Sequence, residues 1–467
     1  MVQPARDLLK RVNQLVKQNQ DLINENEKFR KLVEKLTREN EEQKALLEKL
    51  DPEKLEAGKL FIERPASLRF DMATVLFADI HGFTNISESM NSQEVMDELD
   101  LILYELDQTL KKYNIQKIKT IGDTFMAAGG IPVKNMTNPI QVLQAAMEMM
   151  DIVNSFPAKM GRNEKIWELK LGIHTGPVVA TESGKKKITY DIKGDTVNIA
   201  SRMETYSKDG LILISVMAYE LIKELFECEY FGKMPVKYKG DLEMFVVKGL
   251  KPEYSLDGNG HIQNKAFETK YKLVQFTDMQ EIILERLEKE LPPYLYYHNV
   301  KHTVDVVTEV ELIGWAEGLS DEEILLLKTA GLFHDVGHVI SYDDHEHHGT
   351  VIAREYLPRY GYTDEQINII CETIMATRLP PKPKGILQEI ICDSDLDYLG
   401  RSDMIPVSNT LYKELKEQNK IGTLNDWNKL QIKFISNHQY FTKTARRLRE
   451  VNKQLQIERL KSVITED

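Results

Sequence analysis

The chain has 467 residues, 42% apolar and 29% charged, with a formal net charge of -12, a globular balance with room for two or three domains. Its acidity argues against a nucleic-acid platform, which needs a basic face. Any site for a polyanion such as a nucleotide must therefore concentrate positive charge or metal locally.

The three cysteines, Cys228, Cys371 and Cys392, are far apart and in no paired spacing, which excludes a disulfide scaffold and a cysteine zinc site. No window holds the run of about eighteen apolar residues that a membrane span needs, and MVQPARDLLKRV lacks the apolar core of a secretory leader. The expectation is a cytoplasmic protein without a transmembrane segment.

Residues 1–50 carry a heptad. Leu8, Leu15, Leu22, Phe29, Leu36 and Leu50 recur every seven residues, broken by Gln43, and Val12, Asn19, Asn26, Val33, Asn40 and Leu47 run three residues ahead of them. Leucine at d with valine and asparagine at a predicts a parallel two-stranded coiled coil, ended by Asp51-Pro52.

Residues 60–255 alternate apolar and β-branched runs with helical stretches, which predicts an α/β sandwich. DMATVLFAD (71–79) reads as a buried strand and residues 92–113 as an amphipathic helix. KIKTIGD (117–123) reads as a strand entering a turn, 140–153 as helix, and LKLGIHTGPVVA (169–180) as strand, turn, strand. After the polar stretch at 253–265 the pattern turns helical, predicting an all-α domain over 272–467. In its last helix Arg446, Arg447 and Arg449 read as a solvated face.

Asp79 and Asp123 both end predicted strands, and Asp123 follows Gly122. Alone, an aspartate so placed is more often a turn cap or a surface residue, but this is also a common place to hold a hard cation, because the backbone there can approach the ion closely; brought side by side the two could hold a pair of Mg2+ or Mn2+ ions. FADIHGFT (77–84), IKTIGD (118–123), GIHTGPVVA (172–180), TYDIKGDTVNIASRME (189–204) and VKYKGD (236–241) together resemble the catalytic domain of class III nucleotide cyclases, with its ferredoxin-like α/β fold.

By that resemblance Asp79, Asp123 and the carbonyl of Ile80 hold the metal, and Lys119 and Asp191 read the adenine edge. A lysine donates to N1 and a carboxylate accepts from the 6-amino group, whereas guanine presents the opposite pattern at both points; guanylate cyclases usually carry glutamate and cysteine there. Asn198 and Arg202 orient the ribose and stabilise the α-phosphate, Lys237 contacts the terminal phosphates, and Lys186, within Lys185–Lys187, adds to phosphate neutralisation or lies in a solvated turn. The implied reaction is attack of the ribose 3′-oxygen on the α-phosphorus of ATP with loss of pyrophosphate. In the family the metal residues come from one subunit and the base and ribose readers from the other. A homodimer through the coiled coil and the cyclase domain would thus build two equivalent sites.

The second half gathers His298 and His302, four apart on one predicted helix, in HNVKHTVDVV, His334, Asp335 and His338 on the next in FHDVGH, His345 in HEHHG, and Asp393 and Asp395. An adjacent His-Asp pair within an apolar helix is costly to bury without a metal or tight pairing. These segments resemble the HD phosphohydrolase superfamily and the core of cyclic nucleotide phosphodiesterases. The resemblance implies His302, His334, Asp335 and Asp395 around one divalent ion, with Asp393 competing for the last place. Asp335 bridges to a second ion, His345 is a further ligand, His338 a ligand or neighbour, and His298 the acid for the leaving alkoxide. Thr377 stands where two-metal variants often have histidine. Zn2+, Fe, Mn2+ and Mg2+ all suit such ligands. The expectation is an adenylate cyclase making cyclic AMP, with an HD domain that hydrolyses a phosphoester, cyclic AMP being the attractive candidate, or senses one. The alternatives are a phosphohydrolase with a regulatory cyclase-like domain and a non-enzymatic signalling scaffold.

Overall fold

The computed structural model describes residues 67–81, 92–121, 124–161, 167–183, 189–236, 240–256, 258, 260–462 and 464. The predicted coiled coil lies outside them, as do Asp123, Lys237 and Lys185, Lys186 and Lys187.

The first part is a mixed sheet with helices. β1 (Ser67–His81), β2 (Gln116–Ile121), β3 (Thr124–Gly129), β4 (Glu168–Ser183), β6 (Ile212–Ser215), β8 (Gly240–Leu250) and β7 (Phe226–Val236) stand in the order β2-β3-β1-β4-β6-β8-β7, with β5 (Thr189–Lys193) paired to β4. With α1 (Ser92–Lys112) and α2 (Asn138–Lys159), the first four strands make a β-α-β-β-α-β unit of the ferredoxin-like kind.

β1 explains its apolar run by being buried on both faces. Leu76, Ala78 and Ile80 enter the core shared with Ile102, Leu106 and Leu110 of α1 and Val142 and Met149 of α2. The alternate residues Val75 and Phe77 enter a second core with Ile192 and Ala200. Ala200 belongs to α3 (Asp195–Tyr206), and the short α4 (Val216–Ile222) follows β6.

The predicted turn in LKLGIHTGPVVA does not exist, for β4 is one continuous strand. Gly172 serves a close approach instead: a Cβ there would stand 1.9 Å from the Glu204 backbone nitrogen of α3.

From Lys265 on, the described chain is helical. α5 (Lys265–Glu290) starts ahead of the expected 272 and joins the two parts. Its Phe267 lies in the sheet-side core, whereas Phe276, Met279, Ile283 and Leu287 lie in the helical one. Asp278 accepts from the backbone N–H of Met136 at 2.6 Å, just before α2. The remaining helices are α6 (Val300–Glu317), α7 (Asp321–Phe333), α8 (His345–Tyr356), α9 (Asp364–Met375), α10 (Ile386–Asp395), α11 (Met404–Glu417), α12 (Leu424–Asn437) and α13 (Lys443–Ser462).

α7 is apolar around most of its circumference and forms the centre of the second core. It starts on the capping box of Ser320 and Glu323. Arg449 departs from the solvated basic face expected of α13: it pairs with Asp397 and lies 2.7 Å from Glu309. Among the described residues, no helix is long and apolar enough to cross a membrane.

Candidate active sites

In the sheet part, Asp79 sits near the end of β1, 7% exposed. Its Oδ1 accepts from the Thr124 hydroxyl at 3.1 Å, and the Lys170 ammonium of β4 lies 3.1 Å from its Oδ2. The same ammonium stands 2.9 Å from Glu204 Oε1 of α3. Burial works against the lysine's charge, but Glu204 and Asp79 outweigh it and raise its pKa above the ordinary value. Ile80 pairs in register with Leu169 and buries its side chain between sheet and helices.

Lys119 of β2 and Asp191 of β5 meet across the surface, Nζ to Oδ1 at 3.0 Å, both nearly half exposed. Asn198 and Arg202 lie one turn apart on the exposed face of α3, and Arg202 donates to the Pro235 carbonyl at 3.1 Å. The Lys119 donor and the Asp191 acceptor are thus adjacent and accessible to a planar heterocycle.

In the helical part, four donors converge. His302 Nε2 lies 3.1 Å from Asp395 Oδ1 and 3.3 Å from Asp335 Oδ2, while His334 Nε2 lies 3.2 Å from Asp335 Oδ2 and 3.3 Å from His302 Nε2. Ligands about 2.1 Å from a common ion stand about 3.0–3.4 Å apart, so the donor set fits a divalent cation. His334 Nδ1 lies 2.8 Å from the Gly331 carbonyl, which turns Nε2 inward. Burial alone would raise the pKa of Asp335. The His334 charge and the hydrogen bonds from His302 and His334 reverse this and hold it well below the usual carboxylate range. Asp393 points elsewhere: it accepts from the backbone N–H groups of Phe441 and Thr442, each at 2.8 Å.

His298, Asp335 and His338 form a second group able to hold a metal ion. His338 is 2% exposed, and neither ring nitrogen has a hydrogen-bond partner; burial pushes its pKa down to about 2, so the ring is neutral. The His345 ring stacks on it with centroids 4.0 Å apart, and His345 Nε2 lies 3.5 Å from Asp335 Oδ1.

Two placements differ from expectation. His298 precedes α6 rather than lying on it, because Asn299 is the cap, its side chain accepting from His302 N–H. α7 ends at Phe333, so His334 and Asp335 sit in the turn into a 3-10 helix, Val336–Val339. That turn explains Gly337: a Cβ there would stand 1.9 Å from the His345 carbonyl oxygen. Gly337→Ala is expected to destabilise the chain by ~3 kcal/mol and to displace His345. Thermal unfolding and bound metal per chain would check it.

Residue chemistry alone did not single out Glu414. This carboxylate of α11 is fully buried. It meets His298 Nδ1 at 2.5 Å and accepts from the N–H groups of Tyr297 and His298 at 2.9 and 3.2 Å. In the sequence LYKELKE it resembles any solvated helix charge, so no local signal marks it. The His298 dyad opens on a cavity of about 540 Å³ that also reaches Asp335, His345 and Asp395. Its far wall is Leu411, Trp427, Leu430, Phe434 and Gln431, and Gln431 Oε1 is buried with no partner. Thr377 lines the cavity too, with its hydroxyl donating to the Ile374 carbonyl.

Residues 66–249 match the adenylate and guanylate cyclase catalytic domain, and residues 299–399 match the HD domain. The chain therefore carries a class III cyclase catalytic domain followed by an HD-superfamily domain. It is 35% identical to the receptor-type guanylate cyclase gcy-8 of Caenorhabditis elegans over 43% of this chain and 18% of that protein. It is 32% identical to an adenylate cyclase of Mycobacterium bovis over 39% of this chain and 41% of that one. The chain thus spans less than half the length of these curated relatives. The crystal structure of the adenylyl cyclase CyaB from P. aeruginosa is 29% identical, covering 39% of this chain and 95% of that one, with a TM-score of 0.36.

Proposed function

We propose that the chain is an adenylate cyclase, working as a homodimer that converts ATP to 3′,5′-cyclic AMP and pyrophosphate, and that its HD domain hydrolyses cyclic AMP. The observation that carries the base choice is the pair of Lys119 and Asp191, 3.0 Å apart and half exposed. The ammonium donates to adenine N1 while the carboxylate accepts from the 6-amino group. Guanine would set a donor against the ammonium and an acceptor against the carboxylate. Arg202, on the exposed face of α3 with Asn198, takes up charge developing on the α-phosphate. Divalent ions at Asp79 and Asp123 would supply charge neutralisation for the triphosphate and acidify the 3′-hydroxyl.

In the HD domain a bound divalent ion would supply Lewis acidity and a nucleophile drawn from water. The chain's own groups do the rest. Glu414 fixes His298 through Nδ1, leaving Nε2 to give its proton to the departing 3′-oxygen. Leu411, Trp427 and Phe434 offer apolar faces to a base.

Chromatography of products from ATP and from GTP tests the first half. Cyclic AMP is expected from ATP, with at most trace cyclic GMP. Lys119→Glu combined with Asp191→Cys is expected to shift the ratio of ATP to GTP use by about 100-fold or more toward GTP. Unchanged base preference in that double variant would refute the reading.

A further inference from the structure

Lys170 faces Asp79 in the antiparallel register of β4 and β1. Its ammonium is shared, 3.1 Å from Asp79 Oδ2 and 2.9 Å from Glu204 Oε1. The three side chains are largely out of water, at 18%, 10% and 10% exposed for Lys170, Asp79 and Glu204. One cation between two carboxylates leaves the triad with a net negative charge. A buried carboxylate in such a group is costly unless a cation stays beside it.

We propose that Lys170 is the resident cation of the cyclase metal seat, holding Asp79 until a divalent ion enters, and that Glu204 is the carboxylate that then retains it. This rests on the reading of Asp79 as a metal aspartate. An ammonium in contact with a carboxylate repels a dication approaching the same group, and at low local dielectric the repulsion is strong. The ammonium must therefore give up Asp79, yet cannot leave for water without stranding Glu204. With its flexible four-carbon stem it need only turn from one oxygen to the other, since both already lie within contact distance. Lys170 and Glu204 are thus positioning residues with opposed effects on metal entry. Glu204 belongs to the same helix as Asn198 and Arg202, so the transfer of the lysine tightens the tie between β4 and that helix as the metal arrives.

The test titrates the full chain with Mn2+ alone, read by water-proton relaxation. Asp79→Asn identifies the cyclase class of sites as the class it removes; the HD-domain sites remain as an internal reference. In that class Lys170→Met is expected to tighten Mn2+ by about tenfold, and Glu204→Gln to weaken it by about tenfold. Lys170→Arg, which keeps the charge, is expected to stay within about twofold of the unaltered chain. A merely structural brace would be damaged by both neutral substitutions alike, so equal weakening, or no change in either, overturns the proposal. Should Lys170→Met fail to fold, Glu204→Gln with Lys170 intact decides alone: weakening supports the transfer, and unchanged affinity refutes it. If Asp79→Asn removes no class of sites, the reading of Asp79 fails first, and that result is distinct from a failure of the lysine alone.

Discussion

Asp335→Asn is expected to reduce hydrolysis of cyclic AMP by about 10⁴-fold or more and to lower bound metal in the helical domain. The carboxylate joins both groups of ligands. Oδ2 lies 3.3 Å from His302 and 3.2 Å from His334, while Oδ1 lies 3.5 Å from His345 and 3.9 Å from His338. Replacing one charged oxygen with an amide keeps the volume but puts a donor where an acceptor is needed. Asp393→Asn is the control, because its partners are the N–H groups of Phe441 and Thr442 and the Thr442 hydroxyl. That variant is expected to lose stability while keeping its metal. Supplied with ATP, the Asp335→Asn chain should accumulate cyclic AMP beyond the unaltered chain, because its cyclase domain is unchanged. Metal analysis, hydrolysis rates and product accumulation are three separate readouts. Full metal content with normal hydrolysis would refute the reading of Asp335 as the carboxylate that joins the two groups.

What the sequence makes legible follows from how local each feature is. The strand β1 and the helices α1 and α2 announce themselves because apolar residues recur at the period of the element that buries them. The order β2-β3-β1-β4 follows only from the family resemblance, since pairing is a long-range property. Glycine misleads: Gly172 and Gly176 resemble a turn, whereas Gly172 lies inside a strand and makes room for the backbone of α3. Short motifs carry His302, His334 and Asp335, and chain distance does not hide the meeting with Asp395 because the ligand types are so specific. Between Asp393 and Asp395, both on α10, the sequence offers only the Leu396 that follows Asp395, which fits the Asp-Leu step of the motif. Glu414 and Lys170 are invisible for another reason. Each is a common charged residue whose role comes from burial beside one partner, His298 or Asp79, and burial of a single polar side chain leaves no periodic trace.

Mixing two inactive cyclase variants is expected to restore activity. On the proposed reading, Asp79→Ala removes a metal carboxylate, and Arg202→Ala removes the group that stabilises the α-phosphate. Each homodimer should fall by about 10³-fold or more in cyclic AMP formation. If the two residues act across a dimer axis, a heterodimer of the variants contains one site with both defects and one with neither. Random pairing makes about half the dimers mixed, so the mixture should recover about a quarter of the unaltered activity. Recovery must grow with protein concentration and vanish on dilution below the dimer's dissociation constant. Arg202 supports this arrangement on physical grounds. It stands on the exposed face of α3 and donates to the Pro235 carbonyl at 3.1 Å, an exposed cation without the enclosure that a catalytic group requires. A second subunit would close that face and exclude water from it. A mixture as inactive as its components, at a concentration where dimers are present by sedimentation, would instead require both residues to serve one site within one chain.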